Sequence, residues 1–227
     1  MRHLFLLAAL FCACISYAQI RVQERLPKSK TGFALTTAKT RAKIYYDVND
    51  ALVIKRSAEL FARDIQMVTG QKPELIQKRE RAKALVIVGT IEKNQWICEL
   101  AQKGKIDIRP LQGAWERYLI QTVDNPSPGV AKALVIAGSD RRGAAYGLFS
   151  ISEMMGVSPW YWWGDVPVKT HKALYVDAPP TYSKTPSVKY RGIFLNDEDW
   201  GLKPWAAKTF EKERGNIGPR TLSLIHI

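Results

Sequence analysis

The first half of the chain alternates between apolar residues at helical spacing and short, unbroken apolar runs. Spacings of three and four over residues 54–68 predict a helix that Asn49 or Asp50 caps and that Gly70 ends. A second helix is predicted at residues 91–103.

The apolar runs between these helices predict strands. Residues 84–89 and 133–138 are each apolar up to a final glycine, which is typical of buried parallel strands. Residues 42–47 indicate a further strand, residues 118–123 alternate as a strand does, and a third helix is predicted to end near Met155. This order of elements predicts an α/β domain whose sheet carries helices on both faces.

Two segments interrupt the pattern. Residues 124–129 form a turn cluster, and the proline-rich residues 167–186 predict a linker between two domains. The first domain is therefore assigned to residues 19–180. Residues 188–195 then predict a strand that leads into polar residues, and the short remainder predicts an incomplete second domain.

Residues 1–18 have the pattern of a secretory signal. An apolar run follows Arg2 and ends at small residues up to Ala18, as signal peptidase requires, and it is too short to span a membrane. A lipoprotein signal that uses Cys12 or Cys14 and a buried N-terminal helix are the alternatives. The mature chain is expected to be exported, to the periplasm or the extracellular space, without a membrane segment.

Composition narrows the possible chemistry. The 227 residues are 46% hydrophobic and 24% charged, which excludes a disordered chain and a protein with many membrane spans. After signal removal, Cys98 is the one cysteine left, and the histidines are His171 and His226. A disulfide, a thiolate cluster, a histidine metal site and a Ser-His-Asp triad are therefore not expected, and no metal or cofactor is predicted.

The net charge of +13 raises the question of a nucleic-acid ligand. The basic residues are spread over several segments, including residues 28–43, 78–83 and 203–214. Solvated surface is the better interpretation, and an exported protein meets little nucleic acid. No nucleic-acid partner is predicted.

Residues 138–143 have the glycine spacing of a phosphate-binding loop but lack its lysine and its serine or threonine. A strand that ends in glycine before a helix still presents backbone N–H groups to an anion, and Arg141 and Arg142 add donors suited to a carboxylate. In the structural alternative, Asp140 caps the helix and one arginine pairs locally.

Glu153 and the Trp-Tyr-Trp-Trp sequence at residues 160–163 form a second candidate site. A helix C-terminus disfavours a carboxylate by roughly 0.3–1 kcal/mol, which suggests that Glu153 has a role other than stability. Four consecutive aromatic residues cannot all face one core, and tryptophan faces bind sugar rings. A solvated glutamate and an aromatic plug at a domain interface are the structural alternatives.

The segment Phe194–Asp199 places clustered polar groups at the end of a predicted strand. Active sites of α/β barrels lie at this edge of the strands, and hydrolysis of a glycosidic bond needs two carboxylates. Trp200 follows directly and favours a sugar site over the alternative, an acidic loop.

Three blocks together resemble family 115 of the glycoside hydrolases, exported α-glucuronidases that act on glucuronoxylan. The blocks are residues 138–147, 151–167 and 190–198. The resemblance implies an N-terminal α/β sandwich domain, with a mixed sheet and helices on both faces, followed by a catalytic (β/α)₈ barrel. Residues 181–220 would be the truncated start of that barrel. The implied reaction is removal of (4-O-methyl-)glucuronic acid from xylan with inversion.

The same resemblance implies roles for particular residues. Asp197 is the candidate catalytic carboxylate. Asn196 and Glu153 are expected to contact sugar hydroxyls, and Trp162 and Trp163 to form the pocket wall. Arg142 is assigned to substrate binding on the anion argument. The expected partner is a polysaccharide or oligosaccharide such as glucuronoxylan, and a homodimer is an expectation for the full-length parent.

The chain departs from the family pattern at residues 221–227, which resemble a non-native tail. The chain alone is expected to be inactive, because a glycosidase needs its second carboxylate and a closed barrel. Two alternatives stay open: a non-catalytic carbohydrate-binding module that uses the Trp-rich segment, and another exported glycosidase of the hexosaminidase type. The Trp-Tyr-Trp-Trp and Leu-Asn-Asp-Glu blocks argue against the second.

Overall fold

The computed structural model describes residues 19–161, 166–192, 201–209 and 212–218. The chain divides after Pro186 into two units. The predicted signal at residues 1–18 lies outside the described residues.

The described part of the first unit alternates strands and helices, as the sequence predicts. Its strands are β1 (Arg21–Gln23), β2 (Gly32–Thr36), β3 (Lys43–Tyr46), β4 (Leu75–Ile76), β5 (Ala82–Thr90), β6 (Tyr118–Ser127), β7 (Val130–Gly138), β8 (Leu174–Asp177) and β9 (Thr181–Tyr182). Its α-helices are α1 (Leu52–Thr69), α2 (Gln95–Gln102) and α3 (Arg141–Met154), and a 3₁₀ turn covers Arg109–Leu111.

Six strands form a mixed sheet in the order β4-β3-β5-β7-β6-β9. Strands β4, β3, β5 and β7 are parallel, whereas β6 runs antiparallel to β7, and β9 runs antiparallel to β6. The β5–β7 pairing extends from Ala82 opposite Val130 to Thr90 opposite Gly138, so these two strands form the centre of the sheet.

Both faces of this sheet are buried, which explains the unbroken apolar runs. On β5, Val86 and Val88 belong to a core shared with α1 and α3, whereas Leu85 and Ile87 belong to a second core shared with α2. The predicted mixed sheet with helices on both faces is therefore confirmed.

A second sheet, in the order β1-β8-β2, packs on the side of α1 and α3. It places Phe33 and Val176 in the same core. Since β8 pairs with both β1 and β2, residues near the two ends of the first unit lie side by side.

The prediction of a linker at residues 167–186 is wrong. This segment contains β8 and β9, which complete the two sheets of the first unit. The prolines of this segment flank short strands, a position that proline tolerates at sheet edges.

The structure also differs from the predicted cap of α1 and from the predicted turn after β6. Ala51 occupies the N-cap position without a side-chain hydrogen bond. The Asp50 carboxylate instead accepts from the Thr90 N–H at 2.7 Å and the Thr90 hydroxyl at 3.0 Å, which ties α1 to the end of β5. Strand β6 continues to Ser127 through a register shift, and the hairpin turns at Gly129.

The second unit contains helix α4 (Leu202–Thr209) among its described residues. Residues 188–192, the first part of the predicted strand, form no strand, and residues 193–195 lie outside the described residues. The start of a barrel therefore stays a prediction. None of the helices in the described part of the chain has the length and apolarity that a membrane span requires.

Candidate functional site

Two of the predicted substrate-binding residues, Arg142 and Glu153, lie at opposite ends of α3. Eleven residues of helix rise separate them by roughly 16 Å along the axis. Because α3 begins where β7 ends, Arg142 lies at the carboxyl edge of the parallel strands. Glu153, at the other end of the helix, lies at their amino edge. The structure therefore does not bring these two residues into one pocket.

The N-terminal end of α3 is filled by contacts within the protein. Asp140 caps the helix, and its Oδ1 accepts from the N–H groups of Arg142 at 2.9 Å and Gly143 at 2.8 Å. Its Oδ2 accepts from the Glu116 N–H at 2.6 Å. The helix N–H groups that could bind an external anion are thus bound to the Asp140 carboxylate.

Arg142 is also paired within the protein. Its Nη1 donates to Oε1 of Glu116 at 2.9 Å, and the Glu116 side chain is only 6% exposed. A buried carboxylate needs such a partner, because an unpaired buried charge is costly. This geometry favours the structural interpretation of Arg142, and its role in substrate binding stays a prediction.

The glycine spacing at residues 138–143 also has a structural cause. A Cβ added at Gly138 would lie 2.2 Å from the Ala144 nitrogen, and one added at Gly143 would lie 2.2 Å from the Arg117 carbonyl oxygen. Both glycines are needed because α3 packs directly on the backbone of the neighbouring segments. The spacing therefore serves packing.

The C-terminal end of α3 differs in every one of these respects. Glu153 is exposed, and no described residue forms an ion pair with it. Met154 is 42% exposed beside it. The helix ends at Met154, and Gly156 follows with a left-handed backbone (φ +91°) that turns the chain away while its N–H donates to the Glu153 carbonyl at 2.9 Å. This ending leaves the Glu153 carboxylate facing outward.

The aromatic segment begins beside this helix end. Trp160 is 59% exposed, whereas Tyr161 packs against the core of α1 and α3. The Arg63 guanidinium carbon lies 5.9 Å from the centre of the Tyr161 ring. Ser158 holds the turn, since its hydroxyl accepts from the Trp160 N–H at 3.1 Å and its carbonyl accepts from the Tyr161 N–H at 3.0 Å. The prediction that these aromatics do not all face one core is confirmed for the two described ones.

A buried carboxyl that the sequence analysis missed lies behind this end of α3. Asp64 of α1 is 5% exposed, and burial raises its pKa, while the facing Ser152 hydroxyl and the neighbouring Arg63 act in the opposite direction. A signal was present in the sequence, because Asp64 follows Phe61 by three residues and so lies on the inner face of α1.

The other predicted site residues lie outside the described residues. These are Trp162, Trp163, Asn196 and the candidate catalytic Asp197. Their roles stay predictions. Within the described residues, no group of three or more histidine, cysteine, aspartate or glutamate side chains is arranged to hold a metal ion.

Comparison with known protein families gives a match to glycosyl hydrolase family 115 over residues 183–225. The last five matched positions lie in the segment that the sequence analysis predicts to be non-native, so this match gives that prediction no support. A search of curated proteins finds no match.

One solved structure matches most of the chain. It is BtGH115A, a family GH115 4-O-methyl-α-glucuronidase described as having specificity for decorated arabinogalactans. The likeness has 35% sequence identity and a TM-score of 0.68, and it covers 84% of this chain and 23% of that enzyme. The chain thus spans about a quarter of that enzyme's length.

Two further structures are much less similar. CpGH84D is 12% identical over 71% of this chain and 22% of its own, with a TM-score of 0.41. The GH20 β-N-acetylhexosaminidase from Streptomyces coelicolor A3(2) is 13% identical over 86% of this chain and 31% of its own, with a TM-score of 0.44.

The mixed α/β domain and the family match together place the chain among the glycosyl hydrolases. Within that class, the chain belongs to family 115.

Proposed function

We propose that the chain is the N-terminal segment of an exported glycosidase that removes (4-O-methyl-)glucuronic acid from a decorated polysaccharide. The observation that carries the proposal is the 35% identity to a family 115 4-O-methyl-α-glucuronidase over 84% of this chain. Glucuronoxylan is the proposed substrate, and inverting hydrolysis is the proposed reaction.

The proposed reaction gives a task to each predicted site residue other than Arg142. Inversion needs an acid that protonates the leaving oxygen and a base that activates water, about 6.5–9.5 Å apart. Asp197 is proposed as one of the two carboxylates. Asn196 and Glu153 bind sugar hydroxyls, and Trp162 and Trp163 form the wall against which the ring packs.

The exposed end of α3 supports this assignment for Glu153. An ionised carboxylate accepts hydrogen bonds from sugar hydroxyls, and such charge-assisted bonds are stronger than neutral ones. Glu153 is exposed, and so is Trp160, a second group suited to a sugar, which follows it by seven residues in the chain. Its place at a helix C-terminus gives no stability benefit, which is consistent with a binding role.

Hydrolysis tests the reaction and the substrate together. A complete enzyme that contains this segment is expected to release 4-O-methylglucuronate from glucuronoxylan, and the purified 227-residue chain is expected to release none. Decorated arabinogalactan, the glycan named for BtGH115A, is the second substrate to assay. Release from neither glycan by the complete enzyme would refute the proposed function.

Export has a separate test. Cleavage after Ala18 predicts that the secreted protein begins at Gln19, which N-terminal sequencing of the protein from the medium or the periplasm measures. Retention of residues 1–18 would contradict the signal, and a lipid on Cys12 or Cys14 would support the lipoprotein alternative.

A non-catalytic carbohydrate-binding module is the second candidate function. The observation that favours it is the exposure of Trp160 on a unit whose two sheets and two cores are already formed. Titration of residues 19–186, which include β9 and the whole first unit, with aldouronic acids would then quench tryptophan fluorescence, and Trp160→Phe would reduce the quenching. Uronate release by the complete enzyme would decide against this alternative as the main function.

A further inference from the structure

A groove of about 740 Å³ lies at the amino edge of the parallel strands, on the side of α2. It is lined by the beginning of β5, the turn after α2 and the hairpin between β6 and β7. We call it the basic groove; its charged residues are Arg81, Lys83, Lys103 and Lys105, and residues 125–131 form its opposite wall. Its volume is in the range of ligand sites, about 300–1,000 Å³.

The described residues leave most of the positive charge of the basic groove without an acidic partner. None of its lining residues is acidic. Arg81 and Lys83 are exposed, and neither forms an ion pair with a described residue. Lys103 lies 4.0 Å from Glu99, but that carboxylate is already held by two hydrogen bonds from Arg79, at 2.6 and 2.8 Å. Three cations therefore face the same space with little competition from protein anions.

Lys105 adds a cation that is fixed in place. Its side chain is half-buried, and its Nζ donates to the backbone carbonyls of Asn125 and Asp124. Carbonyl oxygens accept the hydrogen bonds but do not neutralise the charge. The hairpin thus holds one ammonium group in position before any ligand binds.

The wall formed by the hairpin is also preformed. Asn125 and Gly129 have left-handed backbones, with φ of +46° and +85°, and Pro126 and Pro128 restrict the chain between them. Gly129 lies against Arg81, because an added Cβ would be 2.9 Å from the Arg81 Cγ. Close contact between hairpin and β5 therefore shapes one side of the groove.

We propose that the basic groove binds a carboxylate-bearing stretch of polysaccharide and so anchors the glycan on this domain. The choice of a uronic-acid glycan as ligand rests on the proposed function. A nucleic acid fits the groove less well, since its lining contains no aromatic side chain on which bases could stack. The prolines offer apolar C–H surface, which suits a sugar ring.

The position of the groove is consistent with an anchor. The groove and Glu153 lie at the same edge of the sheet, on opposite faces. A polysaccharide carries uronic acids at intervals, so one chain can bind at both places. Binding at the groove then raises the effective concentration of the next uronic acid near Glu153.

The test measures affinity of the purified chain for glucuronoxylan by affinity electrophoresis, with carboxyl-reduced glucuronoxylan as the neutral ligand. Lys83→Gln/Lys103→Gln removes two exposed cations from the groove and is expected to weaken binding about tenfold. The matched control, Lys55→Gln/Lys93→Gln, removes the same charge at the carboxyl edge and is expected to change binding less than about twofold.

Three results would overturn the proposal. Equal weakening by both double variants would show attraction to net charge alone. Undiminished binding of the carboxyl-reduced glycan would remove the role of the carboxylate. Tighter binding of a single-stranded thymidine oligonucleotide at equal charge would identify a nucleic-acid groove. Because none of these measurements involves hydrolysis, their failure leaves the proposed function intact, and loss of uronate release in the complete enzyme leaves them intact.

Discussion

The two ends of α3 carry charged residues with opposite surroundings. At the N-terminal end, Asp140 accepts three backbone N–H groups, and Arg142 is paired with the buried Glu116. At the C-terminal end, Glu153 is exposed and has no ion pair among the described residues. Contacts within the protein satisfy the polar groups at the N-terminal end, whereas the described residues leave the Glu153 carboxylate at the C-terminal end without an ion pair.

This difference separates a structural cluster from a candidate binding surface. Polar groups that satisfy one another within a fold stabilise it and have little left for a ligand. A carboxylate at an unfavourable helix terminus that forms no ion pair with a described residue is better explained by a binding role than by stability. Substitutions at the N-terminal end should therefore change stability, and substitutions at the C-terminal end should change function.

The largest effect on stability is expected from Gly143→Ala. The new methyl group would lie 2.2 Å from the Arg117 carbonyl oxygen, so α3 would have to move away from the sheet. We expect a loss of about 3 kcal/mol in the free energy of unfolding, measured by urea denaturation. Gly156→Ala at the other end has no atom within 4 Å of the added Cβ, so its smaller cost comes from the positive φ alone. Equal costs would show that α3 does not pack closely there.

A smaller loss is expected from Asp140→Ala. The change removes the acceptor for the N–H groups of Arg142, Gly143 and Glu116, and we expect a cost of about 2 kcal/mol in urea denaturation. Asp140→Asn keeps an N-cap acceptor and should cost less. If alanine and asparagine were equally tolerated, the cap would contribute nothing.

Asp64→Asn should raise stability, with a dependence on pH. Burial raises the pKa of Asp64 in the folded protein, so its ionisation disfavours folding. Below the pKa of Asp64 in the unfolded chain, the carboxyl is protonated in both states and costs no stability. As the pH rises through the raised pKa of the folded state, ionisation of Asp64 destabilises the folded protein. The variant should be more stable by about 1 kcal/mol at pH 7, and this gain should vanish below about pH 4. Unfolding curves of both proteins at pH 3.5 and 7 measure the difference, and a gain independent of pH would contradict it.

The smallest effect on stability is expected from Glu153→Gln. An exposed side chain without a described ion pair should change the free energy of unfolding by less than about 0.5 kcal/mol. Urea denaturation of the purified chain is sufficient. A loss as large as that of Asp140→Ala would mean that Glu153 is structural and would abolish the contrast between the two ends.

The sequence was informative where structure follows from local pattern. Strands β5 and β7 were predicted because both of their faces are buried, so every residue in the run is apolar. The Asp140 cap could be predicted from the sequence because its hydrogen bonds form within three residues.

Features that depend on distant partners could not be predicted in this way. Strand β8 has four residues among prolines and exists because it pairs with β1 and β2, about 150 residues earlier. Asp50 resembles a helix cap, but its carboxylate accepts hydrogen bonds from Thr90 at the end of β5. The partner of Arg142, Glu116, is separated from it by the whole β6–β7 hairpin. In each case a non-local contact decides which local option is used.

The central claim is that the C-terminal end of α3 serves the substrate and the N-terminal end serves the fold. The most direct measurement is kcat/KM for release of 4-O-methylglucuronate by a complete enzyme, comparing Glu153→Gln with the double variant Glu116→Gln/Arg142→Gln. The double variant removes the charge of the buried Glu116 together with that of its partner Arg142, and so leaves neither charge unpaired. We expect Glu153→Gln to lower kcat/KM by about 30-fold or more and the double variant to change it by less than about threefold. An unchanged Glu153→Gln enzyme beside a strongly impaired double variant would contradict the account.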